Sequence, residues 1–312
     1  MKAFLKRLRS GAWRIGAAGL VLALLWTAFG ALLLAPAHTN SAYLGDNIRD
    51  DIRIPAADGH YSLALTILRP RGDGPFGAIV LNHGVGGGER ERFLESPALF
   101  IQAARAFVKR DYVVVMPLRR GFGETGGEFA EDAGECSSPH YRRGERAAAS
   151  DVLAAYEFAR KLPYVDPERM ILAGQSAGAV ASLYAASEQP AGLTAVLAFA
   201  AGRGGDPELH PGVPCAAEPM AVLFQEIGKS VRVPVLMYYT ENDLYFGPAT
   251  SGSWFKRFRA GGAQAEYILQ PPFGRNGHYL FGETGGVELW LPAVERFLER
   301  HHIPFGPARQ RA

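Results

Sequence analysis

The chain has 312 residues, of which 48% are hydrophobic, and this length accommodates one large α/β domain or two smaller ones. Its formal net charge is +2 at pH 7, and five of the 33 basic residues lie within the first 14 positions, which leaves 28 basic against 31 acidic residues in the rest of the chain. That balance gives the body of the protein no electrostatic basis for binding nucleic acid.

The N-terminal region has the pattern of an export segment. Residues 15–34 contain no charged side chain, follow a basic stretch and precede the sequence Ala-Pro-Ala at positions 35–37. This pattern is typical of a secretory signal peptide, but about 20 apolar residues can also cross a bilayer as an uncleaved helical anchor. The sequence therefore predicts that residues 1–37 are a signal peptide or a membrane anchor. The remainder would be periplasmic, secreted or held at the membrane by this segment alone, with residues 38–60 as a linker.

Beyond the linker, apolar runs alternate with amphipathic stretches. Several runs are rich in Val, Ile and Leu, as expected of strands buried on both faces of a parallel sheet. The stretch at 142–162 has a helical period and places Val152, Tyr156 and Ala159 on one face. We therefore predict an α/β fold, with a mostly parallel central sheet and helices on both of its faces. The predicted strands are 62–68, 78–82, 112–117, 169–174, 193–200, 233–239 and 265–270.

The domain is expected to span residues 61–302, followed by a tail at 303–312. Two connections inside it are too long to be simple turns: 118–141, rich in Gly and Glu, and 201–232, rich in Gly and Pro. Long loops in compact domains often cover or bind ligands. Both segments are therefore candidate lid segments, with solvated surface excursions as the alternative.

The sequence Gly-Gln-Ser-Ala-Gly at 174–178 lies between a predicted buried strand and a helix-compatible stretch. A G-x-S-x-G string in a strand–turn–helix context is typical of a nucleophile elbow, which exposes the serine hydroxyl at the end of the strand. Gly174 and Gly178 occupy the two positions where side chains would collide, and as glycines they have none. This context favours Ser176 as a nucleophile over a merely tight turn.

A serine nucleophile requires a base that is oriented by a carboxylate. His278, in a loop just beyond the last predicted strand, is the candidate base. Asp243 lies four residues after Tyr239, the last clear position of the predicted strand 233–239. It is the candidate acid because the expected order along the chain is serine, acid, histidine. Glu241 remains an alternative acid, and either carboxylate would otherwise be a solvated turn residue.

The glycine-rich stretch "NHGVGGG" at 82–88 follows an early buried strand, so its backbone N–H groups can turn inward. We expect the N–H of Val85, with that of Gly84 as an alternative, to form an oxyanion hole with the N–H of Ala177. Phosphate binding is the rival interpretation, but the stretch lacks both a terminal Gly-Lys-Ser/Thr and G-x-G-x-x-G spacing.

The chain contains two cysteines, Cys136 and Cys215, one in each candidate lid segment. Both loops leave from the carboxyl edge of a parallel sheet, so we hypothesise a disulfide that ties the two segments over the pocket, with two separate thiols as the alternative. Export makes a disulfide permissible. Two cysteines without nearby paired histidines give no metal-site pattern, and no cofactor is predicted.

Five stretches, spread in order from Ala78 to Phe281, resemble the α/β-hydrolase superfamily, and within it the dienelactone-hydrolase-like and prolyl-oligopeptidase-like serine hydrolases. The resemblance implies the α/β-hydrolase fold with loop insertions and a serine hydrolase activity. The stretches are "IVLNHGVGGG", "VVVMPLRRGFGETGG", "LPYVDPERMILAGQSAGA", "YYTEND" and "GRNGHYLF".

The chain also departs from these relatives. Dienelactone hydrolases carry a cysteine at the elbow, where this chain has Ser176, and prolyl oligopeptidases carry a propeller domain, for which 312 residues leave no room. Leu118 stands where related sequences often have an aspartate. Arg119 and Arg120 are candidates to bind a substrate carboxylate, although a structural salt bridge is the favoured interpretation.

The sequence therefore predicts an exported serine hydrolase that cleaves a carboxylic ester through an acyl-enzyme on Ser176. One alternative is an amide or peptide hydrolase. The other is an exported binding protein that keeps the fold without the chemistry. The expected partner is a small ester or peptide substrate.

Overall fold

The computed structural model describes residues 40–44, 47–86 and 88–306, all of which belong to one structural unit. The predicted signal peptide or anchor at 1–37 lies outside the described residues. Among the residues that are described, no helix combines the length and the hydropathy needed to cross a bilayer.

A nine-stranded sheet forms the centre of the fold, in the order β1-β2-β3-β5-β4-β8-β9-β10-β11. The six strands from β5 to β11 in that order are mutually parallel, and β1, β2 and β3 extend one edge in antiparallel pairing. A separate short hairpin pairs β6 with β7. The strands are β1 Asn40–Leu44, β2 Asn47–Pro55, β3 Ser62–Arg69, β4 Phe76–Asn82, β5 Tyr112–Leu118, β6 Gly134–Glu135, β7 Ser138–Pro139, β8 Val165–Gln175, β9 Leu193–Phe199, β10 Val235–Thr240 and β11 Ala265–Gln270.

Helices cover both faces of the sheet. Alternate residues of β4 face opposite sides of the sheet. Ala78 and Val80 pack into the hydrophobic cluster that contains the helices at 141–160, 177–187, 217–228 and 248–260, while Ile79 and Leu81 pack into the cluster that contains the helices at 101–108 and 286–300. This is why the strand has a continuous apolar run. The helices are α1 Glu89–Phe93, α2 Ile101–Val108, α3 Tyr141–Arg160, α4 Ala177–Ser187, α5 Ala217–Gly228, α6 Pro248–Ala260 and α7 Gly286–Arg300, with 3₁₀ turns at Pro97–Phe100, Gly123–Thr125 and Gly277–Tyr279.

The predicted α/β architecture is confirmed. All seven predicted strands are present with ends shifted by a few residues, and Val152, Tyr156 and Ala159 of α3 are fully buried. The parallel strands bring the carboxyl ends of β4, β5, β8 and β10 to one edge, where sites of open α/β sheets form.

The structure corrects two predicted boundaries. Residues 38–60 were expected to be linker, yet this range contains β1 and β2, and β2 pairs antiparallel with β3 from Ile48 to Pro55. The linker prediction is wrong for both strands, and in β2 the reason is that a partly exposed strand has a polar sequence that resembles a linker. At the other end, residues 303–306 of the predicted tail pack against the core. The Tyr112 hydroxyl donates to the carbonyl of Pro304 over 2.7 Å, and Phe305 contacts the Tyr112 ring.

The two candidate lid segments differ in content. Segment 118–141 contains a 3₁₀ turn and the β6–β7 hairpin. Segment 201–232, expected as a long loop, contains α5, whose residues Met220, Phe224 and Ile227 are buried. The second segment is therefore partly core, and only its first half is irregular.

Candidate active site

Ser176 lies between the end of β8 and the start of α4, as the elbow interpretation requires. Its backbone is in a left-handed conformation, with φ 56° and ψ −127°, which costs a non-glycine residue about 1–3 kcal/mol. A Cβ at Gly174 would overlap the carbonyl of Gly178, and a Cβ at Gly178 would overlap the carbonyl of His83. The two glycines therefore permit the tight approach of strand, helix and the loop after β4.

Asp243 and His278 are in contact. The Nδ1 atom of His278 lies 3.0 and 3.1 Å from the two carboxylate oxygens of Asp243, and both side chains are buried. Glu241, the alternative acid, is exposed, and its backbone N–H donates to the carbonyl of Gln270. The structure thus places Asp243, and not Glu241, beside the histidine.

Neutral groups hold this pair. Asp243 Oδ1 accepts hydrogen bonds from the backbone N–H groups of Tyr245 and Phe246, at 2.8 and 2.9 Å. Gln175 donates to the carbonyl of His278. Because the Nδ1–H of His278 donates to the carboxylate, Nε2 is the nitrogen that remains to accept a proton.

Aromatic rings surround His278. The Tyr245 ring lies 4.2 Å from the imidazole centroid at an angle of 31°, while Phe246 and Tyr279 present their edges at 5.4 and 5.5 Å. The hydroxyls of Tyr245 and Tyr279 are hydrogen-bonded at 2.8 Å. Burial, together with that hydrogen bond, raises the pKa of Tyr245, so its phenol stays neutral beside the histidine.

A cavity of about 1020 Å³ opens at this edge of the sheet, and Ser176, His278, Gly84, Val85 and Ala177 all line it. The structure therefore brings the predicted nucleophile, base and oxyanion donors to one space, with Asp243 behind the histidine. Among the described residues, no group of three or more His, Cys, Asp or Glu side chains could hold a metal ion.

Residues 83–86, here called the oxyanion loop, lie against the elbow. A Cβ added to Gly84 would be 3.3 Å from the Cβ of Ser176. Arg119 donates to two carbonyls of this loop: its Nη1 reaches the carbonyl of His83 at 2.8 Å, and its Nη2 reaches that of Gly84 at 3.2 Å.

Arg119 is fully buried and ion-paired with Glu131, so the salt-bridge interpretation is confirmed and a role in binding a substrate carboxylate is excluded for it. Arg120 also makes intramolecular contacts: its guanidinium pairs with Asp58 at 3.4 Å and lies 4.4 Å above the Tyr61 ring.

Four buried charged residues form a chain that we call the ion quartet, in the order Arg119, Glu131, Arg203, Glu145. Glu131 Oε2 accepts from Arg203 Nη2 at 2.8 Å, and Arg203 Nε pairs with Glu145. Burial raises the pKa of Glu131, but the guanidinium groups of Arg119 and Arg203 outweigh this effect and hold that pKa below its ordinary value. Sequence reasoning missed Glu131, Arg203 and Glu145. The available signal was Glu145, which lies on the apolar face of α3 that also carries Ala148 and Val152.

Cys136 and Cys215 are joined in a disulfide, with their Cα atoms 5.5 Å apart, and both residues line the cavity. Cys136 follows β6, and Cys215 precedes α5. The bond thus links the two candidate lid segments beside the site.

Comparison with known proteins agrees with this architecture. Residues 99–201 match the family model of the prolyl oligopeptidase family. No curated protein sequence matches the chain significantly. Among solved structures, an acetyl xylan esterase from Paenibacillus sp. R4 is 18% identical with a TM-score of 0.58, covering 89% of this chain and 93% of that one.

Two further structures share the fold. A protein assigned as a dienelactone hydrolase, from Klebsiella pneumoniae, is 16% identical with a TM-score of 0.55, and the match covers 83% of this chain and 99% of that one. The acylaminoacyl peptidase of Pyrococcus horikoshii is also 16% identical, with a TM-score of 0.55, covering 86% of this chain and 43% of that one.

The chain has the α/β-hydrolase fold. The prolyl oligopeptidase family match, which spans the elbow, supports a serine hydrolase of that fold.

Proposed function

We propose that this protein is an exported esterase that cleaves carboxylic esters through an acyl-enzyme on Ser176. The observation that carries the proposal is the shared cavity. A serine held in the left-handed elbow conformation faces the space lined by His278, whose other ring nitrogen is fixed by Asp243.

The chemistry follows from these positions. Ser176 Oγ attacks the ester carbonyl while His278 Nε2 takes its proton, and Asp243 keeps the imidazole in the Nδ1–H tautomer. The carbonyl oxygen becomes an oxyanion that accepts hydrogen bonds from the N–H groups of Val85 and Ala177. Collapse breaks the ester C–O bond, and the alcohol leaves with the proton from His278. Water then attacks the acyl-enzyme with the same histidine as base, releasing the carboxylic acid and restoring Ser176.

The cavity lining favours neutral or cationic esters. Seven carboxyl side chains line it against two guanidinium groups, so the field inside opposes an anionic substrate. Leu94, Leu99 and Phe129 add apolar surface for an acyl or alkyl group. The charged lining residues are Glu91, Glu95, Glu131, Glu135, Asp206, Glu208 and Glu283, with Arg92 and Arg203.

Peptide or amide hydrolysis is the second candidate, and the prolyl oligopeptidase family match at 99–201 supports it. The mechanism is shared, but an amide needs a protonated amine as leaving group, which makes its acylation more demanding. A panel of p-nitrophenyl esters and aminoacyl p-nitroanilides separates the two. We expect kcat/KM for the esters to exceed that for the anilides by at least about 100-fold; faster anilide turnover would make the protein a peptidase.

Export is the remaining part of the proposal. The sequence pattern of residues 1–37 supports it, and so does the disulfide between Cys136 and Cys215, because such bonds persist in oxidising compartments. Fractionation of the native host with N-terminal sequencing tests it. A chain beginning near His38, or a full-length chain in the membrane fraction, agrees with export, whereas a soluble cytoplasmic full-length chain contradicts it.

A further inference from the structure

We propose that Arg119 is a positioning residue for the oxyanion hole: its guanidinium orients the backbone N–H groups of Gly84 and Val85, and the ion quartet holds that guanidinium in place. The inference rests on the proposed function, and its test is chosen so that the two can fail separately.

The first step is the planarity of the peptide bond. In a trans peptide, the C=O of one residue and the N–H of the next lie in one plane and point in opposite directions. Arg119 holds the carbonyls of His83 and Gly84, at 2.8 and 3.2 Å. Fixing those two oxygens therefore fixes the N–H directions of Gly84 and Val85, both of which line the cavity.

His83 makes a second contact with the carbonyl of Gly84. Its Nδ1 lies 2.7 Å from the Gly84 oxygen, and its Nε2 lies 3.2 Å from the backbone nitrogen of Arg119. A carbonyl only accepts and a backbone N–H only donates, so the imidazole is neutral with its proton on Nδ1. Burial, assisted by the Arg119 charge, lowers the pKa of His83 well below its usual range, which agrees with that state.

The ion quartet explains how the charged guanidinium of Arg119 can hold these carbonyls in the protein interior. A lone buried guanidinium would leave a large desolvation cost uncompensated, whereas ion pairing and hydrogen bonding offset that cost. Glu131 pairs with both Arg119 and Arg203, and Arg203 pairs with Glu145 on α3. The oxyanion loop is thereby tied through side chains to the end of β5, to both candidate lid segments and to α3.

The quartet also offers a matched control. It divides into two pairs, Arg119–Glu131 and Arg203–Glu145, each with one cation and one carboxyl group. Arg119 of the first pair hydrogen-bonds the oxyanion loop, whereas the side-chain hydrogen bonds of the Arg203 guanidinium within the described residues go to Glu131 and Glu145. The double variants R119Q/E131Q and R203Q/E145Q each replace one buried guanidinium and one buried carboxyl group by neutral amides and leave the formal charge of the interior unchanged.

We expect R119Q/E131Q to lower kcat for p-nitrophenyl butyrate by about 10- to 100-fold more than R203Q/E145Q does, with KM changing by less than about threefold. A misaligned N–H donor loses part of the transition-state stabilisation that is lost when the donor is deleted. The affinity for an alkyl trifluoromethyl ketone should fall by the same factor as kcat/KM. This inhibitor bonds its carbonyl carbon to Ser176 Oγ and places an oxyanion in the hole. Affinity for the alcohol of the same skeleton, which forms no adduct, should stay unchanged. A merely structural role would not separate the two ligands.

Equal losses in the two double variants, or an unchanged ketone affinity in R119Q/E131Q, would overturn the inference. If either double variant does not fold, R119K and R203K are compared in the same way. Lysine keeps the charge but lacks the fork that spans two carbonyls, so R119K should show the larger loss in kcat. Wild-type turnover and its loss in Ser176→Ala report on the proposed function independently of this comparison.

Discussion

The cavity has a histidine side, formed by Asp243 and His278, and an oxyanion side, formed by residues 83–86 and the ion quartet. The histidine side is held by neutral donors, namely the backbone N–H groups of Tyr245 and Phe246. The oxyanion side is held by buried ion pairs. The difference matches what each side has to do. In the proposed mechanism, the histidine gains and loses a proton beside a carboxylate that backbone N–H groups hold, whereas the N–H donors of the oxyanion hole are fixed by a permanently charged guanidinium.

The largest effect belongs to Ser176→Ala, which deletes the nucleophile while leaving both sides of the cavity in place. We expect kcat for p-nitrophenyl butyrate to fall by about 10⁵-fold or more, with an unchanged melting temperature because alanine keeps the Cβ and deletes only the hydroxyl. Ser187→Ala on the same helix is the control and should retain full activity. Comparable turnover in both variants would remove Ser176 from the mechanism.

Asp243→Asn breaks the histidine side alone. The amide favours the wrong imidazole tautomer, so kcat should fall by about 10⁴-fold, while the oxyanion side keeps its contacts. Glu241→Gln, an exposed neighbour, should change kcat by less than about twofold. The reverse ranking in steady-state assays would make Glu241 the acid.

The two sides were not equally predictable from the sequence. Ser176, Asp243 and His278 each follow a recognisable strand, and the order of strands in a parallel sheet brings strand ends together, so local patterns were sufficient to nominate them. Glu131, Arg203 and Glu145 meet only through side-chain packing between segments far apart in the chain. No local spacing encodes that meeting. His83 was placed at its strand end, but its contacts with Gly84 and Arg119 depend on the loop's three-dimensional course.

The same distinction applies to the fold. The buried parallel strands were predicted because both faces are apolar, as in β4. The antiparallel strand β2, which lies between β1 and β3, was missed because charged residues such as Arg49 and Asp51 alternate with Ile52 and Ile54, and its pairing with the predicted strand β3 is recognisable only once the chain is folded.

Removing the disulfide tests whether the oxyanion side depends on the lid segments. Cys136 and Cys215 are separated by 79 positions, and closing a loop of that length constrains the unfolded chain by at most about 4–5 kcal/mol. We expect C136S/C215S to lose part of that free energy of unfolding, measured by urea denaturation. A thiol count on the denatured, unreduced protein should find no free thiol, and two free thiols would contradict the bond.

The smallest effect concerns substrate charge. Because carboxylates outnumber guanidinium groups in the cavity lining, kcat/KM for a p-nitrophenyl ester with a terminal carboxylate should be about tenfold lower than for its neutral analogue. The difference should shrink as salt is added, since screening weakens the field. A preference for the anionic ester would show that Arg92 or Arg203 governs binding instead.

The central claim is that Ser176 is the nucleophile of a working serine hydrolase, and covalent labelling tests it most directly. The purified protein is treated with a fluorophosphonate probe, digested, and mapped by tandem mass spectrometry. We predict a single phosphonylated site, on Ser176, formed at a rate that falls sharply in Asp243→Asn. A folded wild-type protein that takes no label, or that carries the adduct on another residue, would contradict the account.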